Sequence, residues 1–159
     1  MKLYLVISDT HGDLHATKNI ITKYPQIDGL IHLGDYYKDA SIIKAQNPGL
    51  DVIMILGNCD FAYDIPTELV LEIEGNRIFL THGHLYNVKN GIERLERKAI
   101  KDNIDLVLFG HTHCPLQVTR SNITFVNPGS IGYPRGFPTA SYALVEVSKK
   151  GLEVRVLDA

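Results

Sequence analysis

Seven side chains able to ligate a metal stand in five short motifs: Asp9 and His11 in "SDTHGD", Asp35 in "GDYY", Asn58 in "GNCD", His82 in "THGH", and His111 with His113 in "GHTH". Asp9-x-His11 and His111-x-His113 each deliver two side chains to one locus from a single loop. That spacing suits two ligands on one ion, or one ligand on each of two adjacent ions. Imidazole and carboxylate without a thiolate cluster favour Mn, Fe, Co, Ni or Zn over Ca or Mg. Seven protein ligands exceed what one tetrahedral ion uses, whereas two ions sharing a carboxylate would employ them all. Paired dications suit a reaction with charge on both the attacking and the leaving oxygen, which is in-line displacement at phosphorus. Asp9 and Asp35 bring −2, two dications +4 and a bridging hydroxide −1, leaving about +1 to receive an anionic phosphate.

Each motif follows directly on a short apolar run that reads as a buried strand: Leu3 to Ile7, Gly29 to Leu33, Val52 to Leu56, Ile78 to Leu80 and Leu106 to Phe109. In open α/β sheets such strand ends line the ligand crevice. Taken singly, an Asp after a strand is an ordinary turn or helix-cap residue, and Asn58 after Gly57 passes as turn chemistry. Histidine has no special place in turns, so the same pattern at all five ends points to a site. His32, inside "LIHLG", reads as a satisfied core histidine or as one that supports a ligand from behind, and His15 falls on a predicted helix.

Helical periodicity appears at Leu14, Thr17, Ile20, Ile21 and Tyr24, and again at Ile92, Leu95, Ala99 and Ile100. Strands alternating with helices imply βαβ units and a largely parallel sheet. Three hairpins are expected besides, turning near Gly75-Asn76, at Ser121-Asn122 and at Lys150-Gly151. Two sheets packed face to face, with helices outside, follow from this pattern.

The chain has 159 residues and is expected to form one domain over 1–159, able to bury well over half of its extended surface. Sixteen Lys plus Arg against eighteen Asp plus Glu give a net charge of −2 with no basic track, which argues against a long nucleic acid as partner. Cys59 and Cys114 form no CxxC spacing, so reduced thiols and a cytoplasmic location are expected. The opening "MKLYLVISDTHGD" meets a charge too soon for a signal peptide, and no apolar run is long enough for a membrane helix.

In their order, D-x-H, G-D, G-N-x-D, H-x-H and G-H-x-H resemble the motifs of the calcineurin-like metallophosphoesterases. The compact length, "GNCD", "THGH" and "NPGS" at Asn127 to Ser130 are similar to the small YfcE-type phosphodiesterases, over Lys2 to about Ala143. The resemblance implies a four-layered α/β/β/α sandwich of two mixed sheets flanked by helices. It implies two divalent metals, manganese first, with nickel, cobalt, iron and zinc as alternatives. Asp9, His11, Asp35 and His113 would hold one metal, and Asp35, Asn58, His82 and His111 the other, with Asp35 as bridge. The implied activity is hydrolysis of a small phosphodiester by a metal-bridging hydroxide, with no covalent enzyme intermediate.

Many members carry histidine after G-N, where it helps protonate the leaving group; this chain has Cys59. A thiol with a reference pKa of about 8.5 is a poorer acid near neutrality than imidazole, which implies a preference for activated esters. His84 is expected to orient His82, and Asp60 to orient Asn58 or a histidine. Tyr36, Tyr37, Phe61 and Tyr63 read first as ordinary packing and second as an aromatic wall. Arg135 reads first as a solvated loop residue and second as a phosphate contact. Rival readings are a phosphomonoesterase or nuclease of the same superfamily, and a non-catalytic metal-binding scaffold like the retromer subunit that shares the fold. A homo-oligomer is compatible with exposed Tyr and Ile in the loops.

Overall fold

A computed structural model of the chain, described over residues 1–135 and 139–159, gives these elements in chain order. They are β1 (Lys2–Ile7), α1 (Leu14–Thr22), β2 (Gly29–His32), α2 (Tyr37–Gln46), β3 (Asp51–Met54), β4 (Glu68–Ile73) and β5 (Asn76–Thr81). Two short 3-10 turns (His84–Tyr86 and Val88–Asn90) precede α3 (Glu93–Lys101), β6 (Leu106–Leu108), β7 (Leu116–Arg120), β8 (Ile123–Asn127), β9 (Ser141–Ser148) and β10 (Gly151–Asp158). One sheet has the order β10-β9-β1-β2-β3 and the other β4-β5-β6-β8-β7. β1, β2 and β3 are parallel, as are β5, β6 and β8, while hairpin strands extend each sheet antiparallel.

Strand alternation sorts the side chains into three cores. Val6, Ile31, Leu33, Leu80, Leu108 and Val126 meet between the sheets. Leu5, Ile7, Leu30 and Leu144 face outward under α1 and α2 with Ile20, Ala40 and Ile43. Phe79, Val107 and Phe125 face outward under α3 with Leu95 and Ala99. The layers therefore run α/β/β/α, the expected sandwich.

Differences from the sequence reading have local causes. The β4–β5 turn is Glu74-Gly75, because Ile73 pairs with Asn76, and the β9–β10 turn is Lys149-Lys150, because Ser148 pairs with Gly151. Ser121-Asn122 turns as expected, both with φ near +60° as a type I′ turn requires. Ile100 lies on the solvent side of α3, 53% exposed, since Leu95 and Ala99 set its buried stripe. Helix α2 was absent from the expected elements. Its buried residues are Asp39, Ala40 and Ile43, too few apolar groups to show a period, and the carboxylate is buried for a reason that lies in the neighbouring loop.

Leu80 is fully buried between the sheets. Leu80→Ala is expected to cost about 2–5 kcal/mol, whereas Ile100→Ala stays within about 0.5 kcal/mol. Urea unfolding midpoints of the two variants check this directly.

Candidate metal centre

The five motifs leave the carboxyl ends of β1, β2 and β3 in one sheet and of β5 and β6 in the other, so they converge where the sheets meet. Five of the seven candidate ligands adopt left-handed backbone: Asp9 (φ 52°), His11 (46°), Asp35 (58°), His111 (70°) and His113 (61°). Such a conformation costs a non-glycine residue on the order of 1 kcal/mol and persists only where surrounding contacts impose it. Those contacts are specific. Asp9 Oδ2 accepts from Ser8 Oγ at 2.6 Å and from the His111 N–H at 3.2 Å. Asp35 Oδ1 accepts from the Cys59 N–H at 2.9 Å. Each carboxylate is thus anchored by one oxygen and turns the other toward the histidine Nε2 atoms.

The histidines are oriented in the same way. His82 Nδ1 donates to the Leu33 carbonyl at 2.7 Å, and His113 Nδ1 donates to the Tyr133 carbonyl at 2.6 Å. Those bonds leave each Nε2 with a lone pair directed inward. His113 Nε2 lies 3.2 Å from Asp9 Oδ1, and His82 Nε2 lies 3.6 Å from the same oxygen and 3.5 Å from Asp35 Oδ2. His11 Nε2 is 3.9 Å from Asp9 Oδ1 and 3.8 Å from Asp35 Oδ2. Asp9 Oδ1, His11 Nε2 and His82 Nε2 are buried and have no hydrogen-bond partner.

Acceptors facing acceptors at these separations are unfavourable unless a cation or a proton lies among them. Ligands about 2.1 Å from one ion sit about 3.4 Å apart along a tetrahedral edge, which is the scale of these contacts. Asp9, His11, Asp35 and His113 present donor atoms that all lie within 4.8 Å of one another, so the residues fit a metal ion. Without metal, a proton can take its place. Burial opposes charge on His82, but the Asp35 and Asp9 carboxylates outweigh it and raise its pKa. Burial likewise opposes charge on Asp9 and Asp35, yet the neighbouring imidazoles hold both below the usual carboxylate range.

His111 is lowered to about 4, by burial first and then by the nearby His82, so its ring is neutral and able to ligate at neutral pH. Its ring centroid is 5.1 Å from that of His82. His84 lies 5.5 Å from the His82 ring and 6.1 Å from the His111 ring; it does not bond His82, and its buried Nδ1 is unpartnered. Asn58 is exposed, with Nδ2 3.7 Å from Cys59 Sγ. Cys59 is exposed as well and so fills no core space; burial and then the Asp35 charge raise its thiol pKa. Asp60 bonds neither Asn58 nor a histidine side chain. Its carboxylate accepts the backbone N–H groups of Tyr36, Tyr37 and Gly57, tying the "GDYY" loop to the "GNCD" loop.

Several supporting residues escaped the sequence reading. Asp39, the buried carboxylate of α2, accepts the Gly12 N–H at 2.9 Å and so clamps the loop carrying His11. Asn127 donates to the Gly110 carbonyl and to Thr112 Oγ1, and Ser130 Oγ donates to the Asp9 carbonyl, so "NPGS" braces two ligand loops. A polar residue at the close of an apolar strand, as in "ITFVN", was the available signal. His32 is the satisfied core histidine expected, bonded to Thr10 Oγ1 and the Gly34 N–H.

The packing reading of the loop aromatics needs correction, because Phe61 is 76% and Tyr63 95% exposed. Only Tyr37 is half-buried, while Tyr36 lies 5.2 Å from the His11 ring. The loops are held by backbone bonds to Asp60, which leaves the rings free of packing duties. Arg135 is exposed, as expected, and its N–H donates to the His113 carbonyl; Gly136, the end of "NPGSIGYPRG", lies outside the described residues.

Comparison with known proteins places these features. The calcineurin-like phosphoesterase superfamily domain matches residues 1–150. Phosphodiesterase YfcE of Escherichia coli K12 is 34% identical over 170 aligned residues, covering 92% of this chain and 88% of its own. A predicted phosphoesterase of Streptococcus pneumoniae TIGR4 superposes with a TM-score of 0.84 at 31% identity, over 99% of this chain and 89% of that one. Zinc-complexed Vps29 of Entamoeba histolytica shares the fold, with a TM-score of 0.80 at 21% identity over 98% of each chain.

Two outcomes test the geometry. Adding Mn or Zn to chelator-treated protein is expected to raise Tm by several degrees at pH 7.5 and by much less at pH 5, because below its raised pKa the His82 proton competes with the metal. A scanning-calorimetry series in pH reads it, and a pH-independent rise contradicts the proton competition. A methyl group on Gly57 would overlap the Asp35 carboxylate and backbone, so Gly57→Ala is expected to weaken metal binding at least about tenfold, measured by calorimetric titration.

Proposed function

Since the chain belongs to the calcineurin-like phosphoesterase superfamily, we propose that it is a metal-dependent phosphodiesterase acting on a small diester at two divalent cations. The observation that carries this reading is the set of buried, inward-facing acceptors on Asp9, His11 and His82, which have no partner within the protein. Asp9, His11, Asp35 and His113 would hold one cation, and Asp35, Asn58, His82 and His111 the second. When bound, the pair supplies Lewis-acid polarisation of a phosphoryl oxygen and lowers the pKa of a coordinated water toward ~7. The chain's own groups do the positioning. Leu33 and Tyr133 keep His82 and His113 in the tautomer that presents Nε2, and Ser8 and the Cys59 N–H aim Asp9 and Asp35.

A small diester suits the chain better than a long nucleic acid, whose binding would need a basic track absent from a chain of net charge −2. The phosphodiesterase named among the relatives supports diester over monoester chemistry. Cys59, exposed beside Asn58 with a raised thiol pKa, remains protonated near neutrality but is a reluctant donor to a departing alkoxide.

Hydrolysis of a bis-aryl phosphate diester and its monoester by metal-stripped protein resupplied with Mn, Ni, Co, Zn or Mg tests the proposal. Metal-dependent diester cleavage is expected, reduced about 100-fold or more in Asp35→Asn and Asn58→Ala; a folded protein inactive with every metal turns attention to a scaffold role. Cys59→His is expected to raise turnover on alkyl-ester leaving groups about tenfold and barely change p-nitrophenyl esters. An unchanged or lower alkyl-ester rate excludes a leaving-group role for this position.

A further inference from the structure

Beside the metal centre lies a cleft of about 330 Å³ lined by Tyr36, Tyr37, Lys38, Cys59, Asp60 and Phe61. Resting on the proposed phosphodiesterase activity, we infer that this cleft receives a flat aromatic ester group of the substrate. The cleft borders two of the candidate ligands. The Cys59 N–H bonds Asp35, and the Tyr36 ring stands 5.2 Å from the His11 ring. In this assignment one substituent of a phosphate held at the metals would lie between Tyr36 and Phe61.

The lining favours a ring over an alkyl chain. Phe61 is 76% and Tyr36 44% exposed, so water covers apolar ring faces that a stacked partner would cover instead. Tyr63 supports Phe61 edge-on, with centroids 5.2 Å apart and planes at 75°. The walls are held in place, because Asp60 binds the N–H groups of Tyr36, Tyr37 and Gly57. Those three bonds engage both Asp60 oxygens, and Lys38 brings a positive charge to the same cleft. The lining thus accepts an electron-rich ring or its carbonyl edges without repulsion. Arylphosphate and nucleotide substrates share this chemistry.

Calorimetric titration of the manganese-loaded protein with phenylphosphonate and methylphosphonate tests the assignment, since neither ligand has an ester to cleave. Phenylphosphonate is expected to bind about tenfold tighter, the scale of one stacked ring. Phe61→Leu, which keeps apolar bulk but loses the flat face, should remove most of that preference, with methylphosphonate affinity unchanged within twofold. Tyr36→Asn, a residue that tolerates the left-handed backbone there, should do the same. Adenosine 5′-monophosphate against ribose 5-phosphate separates a nucleobase from a simple aryl group as the occupant. Equal affinity for the two phosphonates, or variants that weaken both alike, overturns the assignment while leaving the metal centre standing. Failure of both phosphonates to bind overturns the phosphodiesterase reading, and the cleft's role falls with it.

Discussion

Two backbone carbonyls, those of Leu33 and Tyr133, accept hydrogen bonds from Nδ1 of His82 and His113, and the character of the centre depends on those two bonds. With Nδ1 donating, each Nε2 is an acceptor facing carboxylate oxygens at 3.2 to 3.6 Å. A cluster of acceptors buried together is unfavourable unless a cation or a proton joins them. The fold therefore creates a demand for positive charge at one point. It does so with main-chain oxygens, which ordinary side-chain substitution does not remove.

Maintaining that point strains the backbone at five ligands, and the sheets supply the restraint. The His111 N–H from one sheet bonds the Asp9 carboxylate from the other, and His82 reaches across to the Leu33 carbonyl. Both links sit at the end of the inter-sheet core of Val6, Leu33, Leu80 and Leu108. Close approach leaves no room for side chains at the crossings. A methyl group on Gly110 would overlap the Ser8 hydroxyl and crowd Asp9, and one on Gly57 would overlap Asp35, so the glycines ahead of His111 and Asn58 keep the carboxylates where they are.

The sequence made much of this legible because period and chemistry change together. Buried parallel strands read as continuous Val, Ile and Leu runs, and past one intervening residue each run is followed by a ligating side chain, so the ends of β1, β2, β3, β5 and β6 marked both the carboxyl ends of the strands and the candidate site. Helix α2 was illegible because its inward face carries Asp39, whose purpose, holding the Gly12 N–H, exists only in three dimensions. The "NPGS" motif was visible but the bracing roles of Asn127 and Ser130 were not, since their partners Gly110 and Asp9 lie elsewhere in the sequence. The aromatic loop residues misled because ring hydrophobicity usually means packing, whereas Asp60 relieves Phe61 and Tyr36 of that duty.

Fold alone does not separate a catalyst from a scaffold. The distinction lies in what each role requires of the residues. A docking surface needs exposed complementarity and gains nothing from buried carboxylates or strained histidines. Here Asp9 is fully buried, His82 is fully buried, and both keep an unpartnered polar atom directed at the same point. Replacing either by an apolar residue of similar size would relieve the repulsion at no cost to an outer surface. The whole set, with each oxygen and nitrogen separately aimed, is the arrangement that the proposed catalytic use of a cation calls for.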